Sequence, residues 1–339
     1  MIELGLGIAF GIGIILIVEH FTVPLAILTL SVTIASALSP IVAWLNRWLP
    51  RSFALALVYI MLLLLIGLAG WVLIPILIRQ TRDVFDKVPS LLTSLLHWME
   101  RWQLDSNVQL NSLLSSAANR VSMVLFSLPV QIASSLLEVA IIIFLSFYWL
   151  LAEPQFGAFI RSLFPEHEHA QVHRVLAAMG KEMGGYVRGI VLNALAVGTL
   201  AGLGLYFVGI NYPIFLGTIT AFGEFIPYIG PIIASIPAIG VGFLQSPGKA
   251  LLALIVYTAV QQIEGHLLTP NIMRSQTDIP QALVIFALLA GGSIGGILGA
   301  IVAVPIAGVL RVLVREVIAP AIRRWSGAAQ HSQDQDKHE

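Results

Sequence analysis

The chain has no cysteine and very little charge. Without a thiol, disulfide staples and thiolate metal sites are excluded. Charged residues make up 11% of the 339 positions, against about 25% in an ordinary soluble domain. So sparse a set cannot cover a water-facing surface, and most of the exterior must meet lipid. Lys+Arg and Asp+Glu number 18 each, so there is no basic excess to point to a nucleic-acid partner. No G-x-x-x-x-G-K-[ST] loop occurs, which argues against ATP hydrolysis within the chain. H-E-x-x-H, G-x-S-x-G and a membrane-depth aspartate pair are also missing. Asp278 is the only aspartate in the last third before the tail. An enzyme is therefore not expected, nor a cofactor or a metal; His169 and His173, at i and i+4, read as part of a solvated charged helix. The N-terminus lacks a basic n-region and a small-residue cleavage site, so its apolar run reads as a retained span.

What is abundant is hydrophobic sequence, 58% of the chain, arranged in runs near the roughly 20 residues that cross about 30 Å of hydrocarbon. Residues 1–78 read as N-terminal transmembrane helices. Runs at 4–18 and 23–45 are joined by a tight helical hairpin at Glu19 and His20, and a basic turn with Arg47 and Arg51 precedes a third run, 53–78. Short loops rich in Lys and Arg stay in the cytoplasm, which puts the N-terminus and this turn inside. Residues 79–127 read as an amphipathic extracytoplasmic helical segment, with a helix start at Pro89-Ser90 and apolar residues such as Val84, Val88, Leu91 and Leu95 at helical spacing. Residues 128–152 form another transmembrane helix and 153–188 a charged cytoplasmic helical linker. Residues 189–318 form a core with two broken segments, and 319–339 a polar, disordered tail. Arg311, Arg315, Arg323 and Arg324 favour a cytoplasmic C-terminus. The fold class is an all-α integral membrane protein with five to six full transmembrane helices, two broken, re-entrant helical hairpins and an extramembrane amphipathic segment.

The broken segments carry the functional expectation. Broken helices at membrane depth persist only where protein or an aqueous cavity surrounds them, and two of them in one chain point to a transporter site. The first contains Glu224, Pro227, Tyr228, Gly230 and Pro231. An intramembrane carboxylate costs about 2.5–3.5 kcal/mol on insertion scales and is retained where it meets a partner, a cavity or a solute. The prolines remove backbone donors and the glycine permits a sharp bend. The plainer alternative is a kinked helix with Glu224 bonded to a neighbour. Tyr257, Gln261 and Glu264 share one helical face at i, i+4, i+7, while Gln262 and His266 share another; these residues either line a pathway or sit at the interface near a span's end. Gly291, Gly292, Gly295, Gly296 and Gly299, with Pro305 beyond, permit either a re-entrant turn or close small-residue packing. Glu138, Arg188 and Arg274 are weaker candidates: Glu138 reads first as a structural pairing, Arg188 as an interfacial anchor, and Arg274 as a partner of Asp278 or a gate.

These residues resemble the autoinducer-2 exporter family of bacterial permease-like membrane proteins. The resemblance rests on Tyr186-Val187-Arg188-Gly189, on the run from Glu224 to Pro231, and on Gln261-Gln262-Ile263-Glu264 leading to Pro270. It continues through Pro280, Ala290-Gly291-Gly292, Gly295 to Gly299 and Val304-Pro305. Pro40, the Leu49-Pro50-Arg51 turn, Pro75, Gln80 and Pro89 agree more loosely. Two positions depart from the pattern: Leu150-Leu151-Ala152-Glu153, where the family often has an acid directly after the aromatics, and Arg274-Ser275, where it often has a glycine. The resemblance implies a multi-pass inner-membrane protein, a homo-oligomer that is pentameric in the family's architecture, and an elevator-like movement of the part holding the hairpins. It implies a small polar solute such as the quorum signal autoinducer-2, or sodium (lithium)/proton antiport, since family members are described in both ways. The expected partners are the bilayer, such a solute, and a coupling proton or Na⁺.

Overall fold

The computed structural model describes residues 2–101, 116, 136–277 and 279–325. Every long element in it is helical, and no strand occurs among the described residues. In chain order the elements are α1 (Ile2–Leu45), α2 (Arg51–Arg101), α3 (Leu136–Ser162), α4 (His169–Phe207), α5 (Pro213–Gly223), α6 (Ile229–Gln245), α7 (Pro247–Ile263), α8 (Thr269–Gln276), α9 (Gln281–Leu313) and α10 (Ala319–Trp325). Single π turns, Glu264–Leu268 and Val314–Ile318, follow α7 and α9. Six helical stretches are long and apolar enough to cross a membrane: Val23–Leu45, Arg51–Gln80, Glu138–Ser162, Glu166–Phe207, Pro247–Ile272 and Gln281–Arg323. The chain is a multi-pass helical membrane protein.

Two boundaries differ from the sequence reading. The hairpin expected at Glu19 and His20 does not form, and α1 runs unbroken over 44 residues. Two polar residues with no glycine or proline between them interrupt hydropathy without breaking a helix, because neither removes a backbone donor. Likewise α2 continues from its apolar half through Pro89 to Arg101, so residues 79–101 extend an existing helix and do not start a new one. A single proline deletes one hydrogen bond of many in a helix this long. The rest of the expected 79–127 segment, apart from residue 116, and the tail beyond residue 325 lie outside the described residues.

The chain divides into two compact units. The first comprises residues 1–59, 142–189 and 273–339; the second comprises 60–141 and 190–272. In the first unit α1 meets the front half of α4. Pro40 has no N–H to offer the Ser36 carbonyl one turn back, and Arg188 fills that role: its guanidinium donates to Ser36 O at 3.4 Å and Ala37 O at 3.1 Å, and to Gln276 Oε1 at 3.1 Å. Tyr59 and Ser146 pair their hydroxyls at 2.6 Å in a buried contact between α2 and α3. Arg51 ties the start of α2 to the Leu150 carbonyl (2.8 Å) and Glu153 (3.3 Å) on α3.

Helix α9 also lies in the first unit, and it is not straight. Gly295 (φ −124°, ψ 17°) and Gly296 (φ 59°, ψ −142°) leave helical geometry. In an unbroken helix, Gly291 and Gly299 would stand about 12 Å apart. Here a Cβ placed on Gly291 would lie 2.4 Å from the Gly299 carbonyl oxygen and 2.4 Å from the Ala303 Cβ. The two arms therefore fold back on one another and touch backbone to backbone. A turn at Gly295-Gly296 and close small-residue packing at Gly291 and Gly299 occur together.

The second unit contains the other broken segment. Tyr212 at φ 63° leads into Pro213 at the first turn of α5, the position where a missing N–H costs nothing, and Gln80 Oε1 accepts from the Phe215 N–H at 3.1 Å. Helix α7 starts on Ser246, whose Oγ accepts from Lys249 N. Lys249 Nζ in turn donates to the Val208 and Gly209 carbonyls at the C-terminal end of α4, where a cation also suits the helix dipole. Leu205, Phe215, Leu216, Ala238, Val241 and Ala253 pack between α4, α5, α6 and α7.

Candidate functional site

Helices α5 and α6 have 11 and 17 residues, about 16 and 26 Å long, so neither alone crosses the hydrocarbon. Glu224 to Tyr228 link them. Gly230 sits so close to Gly223 that a Cβ on it would overlap the Gly223 carbonyl oxygen; only glycine fits. Tyr228, exposed at the tip, holds φ 68°, a region that costs a bulky L-residue of order 1–3 kcal/mol. The arms are held together further down by Tyr257 of α7, whose hydroxyl lies 2.7 Å from Thr220 Oγ1 on α5 and 3.3 Å from Ala234 O on α6.

This fold-back places Glu224 at the inner end of α5, where it is 2% exposed. Its Oε2 accepts from Asn193 Nδ2 at 3.0 Å. The same amide nitrogen donates to Glu264 Oε1 at 3.1 Å, and Gln261 Nε2 donates to Glu264 Oε2 at 2.9 Å. Glu264 opens the π turn after α7; such turns add one residue to a helical turn and often mark functional positions. One amide thus uses both its protons on two carboxylates from different helices. Acceptors still outnumber donors. Among the described residues, Glu224 Oε1 and Asn193 Oδ1 are buried and have no hydrogen-bond partner. Buried polar atoms normally find one.

The structure brings together Glu224, Gln261 and Glu264 from the sequence expectation and adds Asn193. Tyr257 supports the cluster from below, while Pro227, Gly230 and the buried Pro231 shape its turn. Gln262 is exposed and outside the cluster; its carbonyl meets His266 Nδ1 at 3.0 Å. Glu138 is exposed in the first turn of α3 and does not join the cluster. Arg188 is a clamp in the first unit. In that unit too, Gly292 has only ordinary contact, 3.9 Å to the Ala300 Cβ, and Pro305 is fully buried. The backbone of Arg274 belongs to α8; its side chain, like Asp278, lies outside the described residues. Sequence reasoning missed Asn193, although the amide is conspicuous in an otherwise apolar stretch of α4, and a polar side chain at membrane depth is seldom idle.

A multi-pass helical protein with two fold-back segments and a carboxylate pair, Glu224 of it buried, falls in the class of membrane transporters. The family profile described as "AI-2E family transporter" matches residues 4–319, and the chain belongs to that family. It is 28% identical to the "Putative transport protein YueF" of Bacillus subtilis over 300 residues, covering 83% of this chain and 80% of that relative. It is also 28% identical to the "Putative transport protein YrrI" of the same organism over 317 residues, 88% of this chain and 87% of the relative. A "Putative transport protein" of Thermotoga maritima is 25% identical over 264 residues, 76% and 78% of the two chains.

Proposed function

We propose that the chain is a secondary transporter that exports a small polar solute such as autoinducer-2, with the Glu224–Asn193–Glu264 cluster as its ion-responsive element. The observation that carries this reading is the single Asn193 amide shared by two carboxylates, one of them buried with an unpartnered oxygen. Two anions in a low-dielectric setting are costly together, and the group that relieves them is a proton or a small cation. Gain and loss of that cation would alter the cluster's hydrogen bonds, and the α5–α6 turn moves with Glu224. Gln261 and Tyr228 are the contacts we assign to the solute. The broken segments are re-entrant and move in an elevator-like way, within a homo-oligomer of the pentameric family type. The protein sits in the inner membrane with both termini cytoplasmic. No catalytic reaction is assigned.

A second reading, sodium (lithium)/proton antiport without an organic solute, is favoured by one feature. Glu224 Oε1 and Asn193 Oδ1 are oxygen acceptors without donors, a set that suits a hard monovalent cation as well as a proton. Proteoliposomes separate the two. With imposed Na⁺ and proton gradients, labelled autoinducer-2 and a pH dye are read in parallel for wild type, Glu224→Gln and Glu264→Gln. Solute flux that collapses in both variants supports the exporter. Cation–proton exchange without solute flux supports the antiporter. Variants that behave as wild type in both assays would remove the cluster from the mechanism.

A further inference from the structure

The first unit contains a cavity of about 720 Å³ bounded by α1, the start of α2, the end of α3 and the front of α4. Its charge is one-sided. Arg51, Arg161, Lys181 and Arg188 line it against one carboxylate, Glu153, and His173 adds a fifth basic group. The chain as a whole is neutral, so the excess is local. Part of it is already committed: Arg51 serves Glu153 and the Leu150 carbonyl, and Arg188 serves carbonyls and Gln276. Arg161 and Lys181 are not. Their side chains make no hydrogen bond or ion pair among the described residues, although both face the same cavity.

Depth points the same way. Arg51 opens one apolar span, and Arg161 lies in the last turn of another. The cavity therefore sits where spans end, at headgroup level. Trp149 and Phe156, 5.0 Å apart between ring centroids, line it as well, and aromatic rings favour that layer. Basic pockets between transmembrane helices at the interface suit phosphate-bearing lipid heads. We infer that this cavity binds the phosphate of an anionic phospholipid, with Arg161 and Lys181 as the charged contacts and Trp149 and Phe156 flanking the glycerol region. The site shares no residue with the carboxylate cluster and is independent of what is transported.

The test uses the full chain purified in neutral detergent. Retention of phosphatidylglycerol against phosphatidylcholine is measured by native mass spectrometry. Wild type should prefer phosphatidylglycerol by about tenfold or more, in line with roughly 1 kcal/mol per basic residue near an anionic surface. Arg161→Gln/Lys181→Gln should bring the preference to within about twofold. The swap Arg161→Lys/Lys181→Arg should keep it, and so should Arg174→Gln, an exposed α4 position outside the lining. The swap and the Arg174 variant guard against mistaking a folding defect for lost contacts. No preference in wild type, or an equal loss in Arg174→Gln, would overturn the site. A parallel titration with inorganic phosphate identifies the source: displacement of lipid only at far higher concentration supports the lipid, whereas equal potency would assign the cavity to a soluble phosphate and overturn the lipid.

Discussion

In the α5–α6 pair the arms touch through Gly223 and Gly230; in α9 they touch through Gly291 and Gly299. Each contact brings a glycine Cα against a carbonyl oxygen, and each lies just beyond a turn that leaves helical geometry. The turns themselves differ. One is five residues long, carries Glu224 and places an aromatic at positive φ; the other has Gly295 and Gly296 and no ionisable group. A shared backbone device therefore does not imply a shared chemical role. The first turn carries a carboxylate, and the second is built from small and apolar residues alone.

Substitutions can break or sharpen that contrast. The largest effect is expected for Gly230→Ala, whose new methyl would overlap the Gly223 carbonyl oxygen. Overpacking against backbone that cannot yield should cost about 3 kcal/mol, read as a drop in thermal unfolding temperature in detergent. Next, Glu224→Gln should cut proteoliposome flux about a hundredfold while leaving the melting temperature nearly unchanged, because an amide fills the same volume. A comparable flux loss from Ser293→Ala, at the exposed α9 turn, would erase the chemical distinction. Gly296→Ala should be intermediate. Space around it is open, but φ 59° with ψ −142° is nearly exclusive to glycine, at about 1–3 kcal/mol for other residues. Gly292→Ala should be the mildest, within about 0.5 kcal/mol, since its nearest neighbour is 3.9 Å away and alanine is the better helix former.

The parts of this arrangement that were legible in the sequence share a cause. Glu224 stands out because a carboxylate in an apolar run is expensive. The two breaks stand out because glycine and proline act locally. Tyr257, Gln261 and Glu264 fell on one face by simple helical arithmetic, and the π turn begins only at Glu264, too late to spoil it. Partnership was not legible. Asn193 lies 31 residues from Glu224 and 71 from Glu264, and no local pattern marks which amide will reach which carboxylate. The continuity of α1 through Glu19 and His20 was hidden for the opposite reason. Hydropathy registers a polar pair strongly, whereas backbone hydrogen bonding hardly registers it at all.

Pro40 and Arg188 together have a mechanical consequence. A proline in a helix usually leaves a loose elbow, free to bend because the carbonyl it fails to serve binds nothing firmly. Here that carbonyl, and the one after it, are held by a guanidinium rooted in α4 and steadied by Gln276. Moving the two carbonyls away would leave the guanidinium without those acceptors. The proline position in α1 is thus set like a braced joint, and force applied along the helix past Pro40 passes into α4 through the guanidinium.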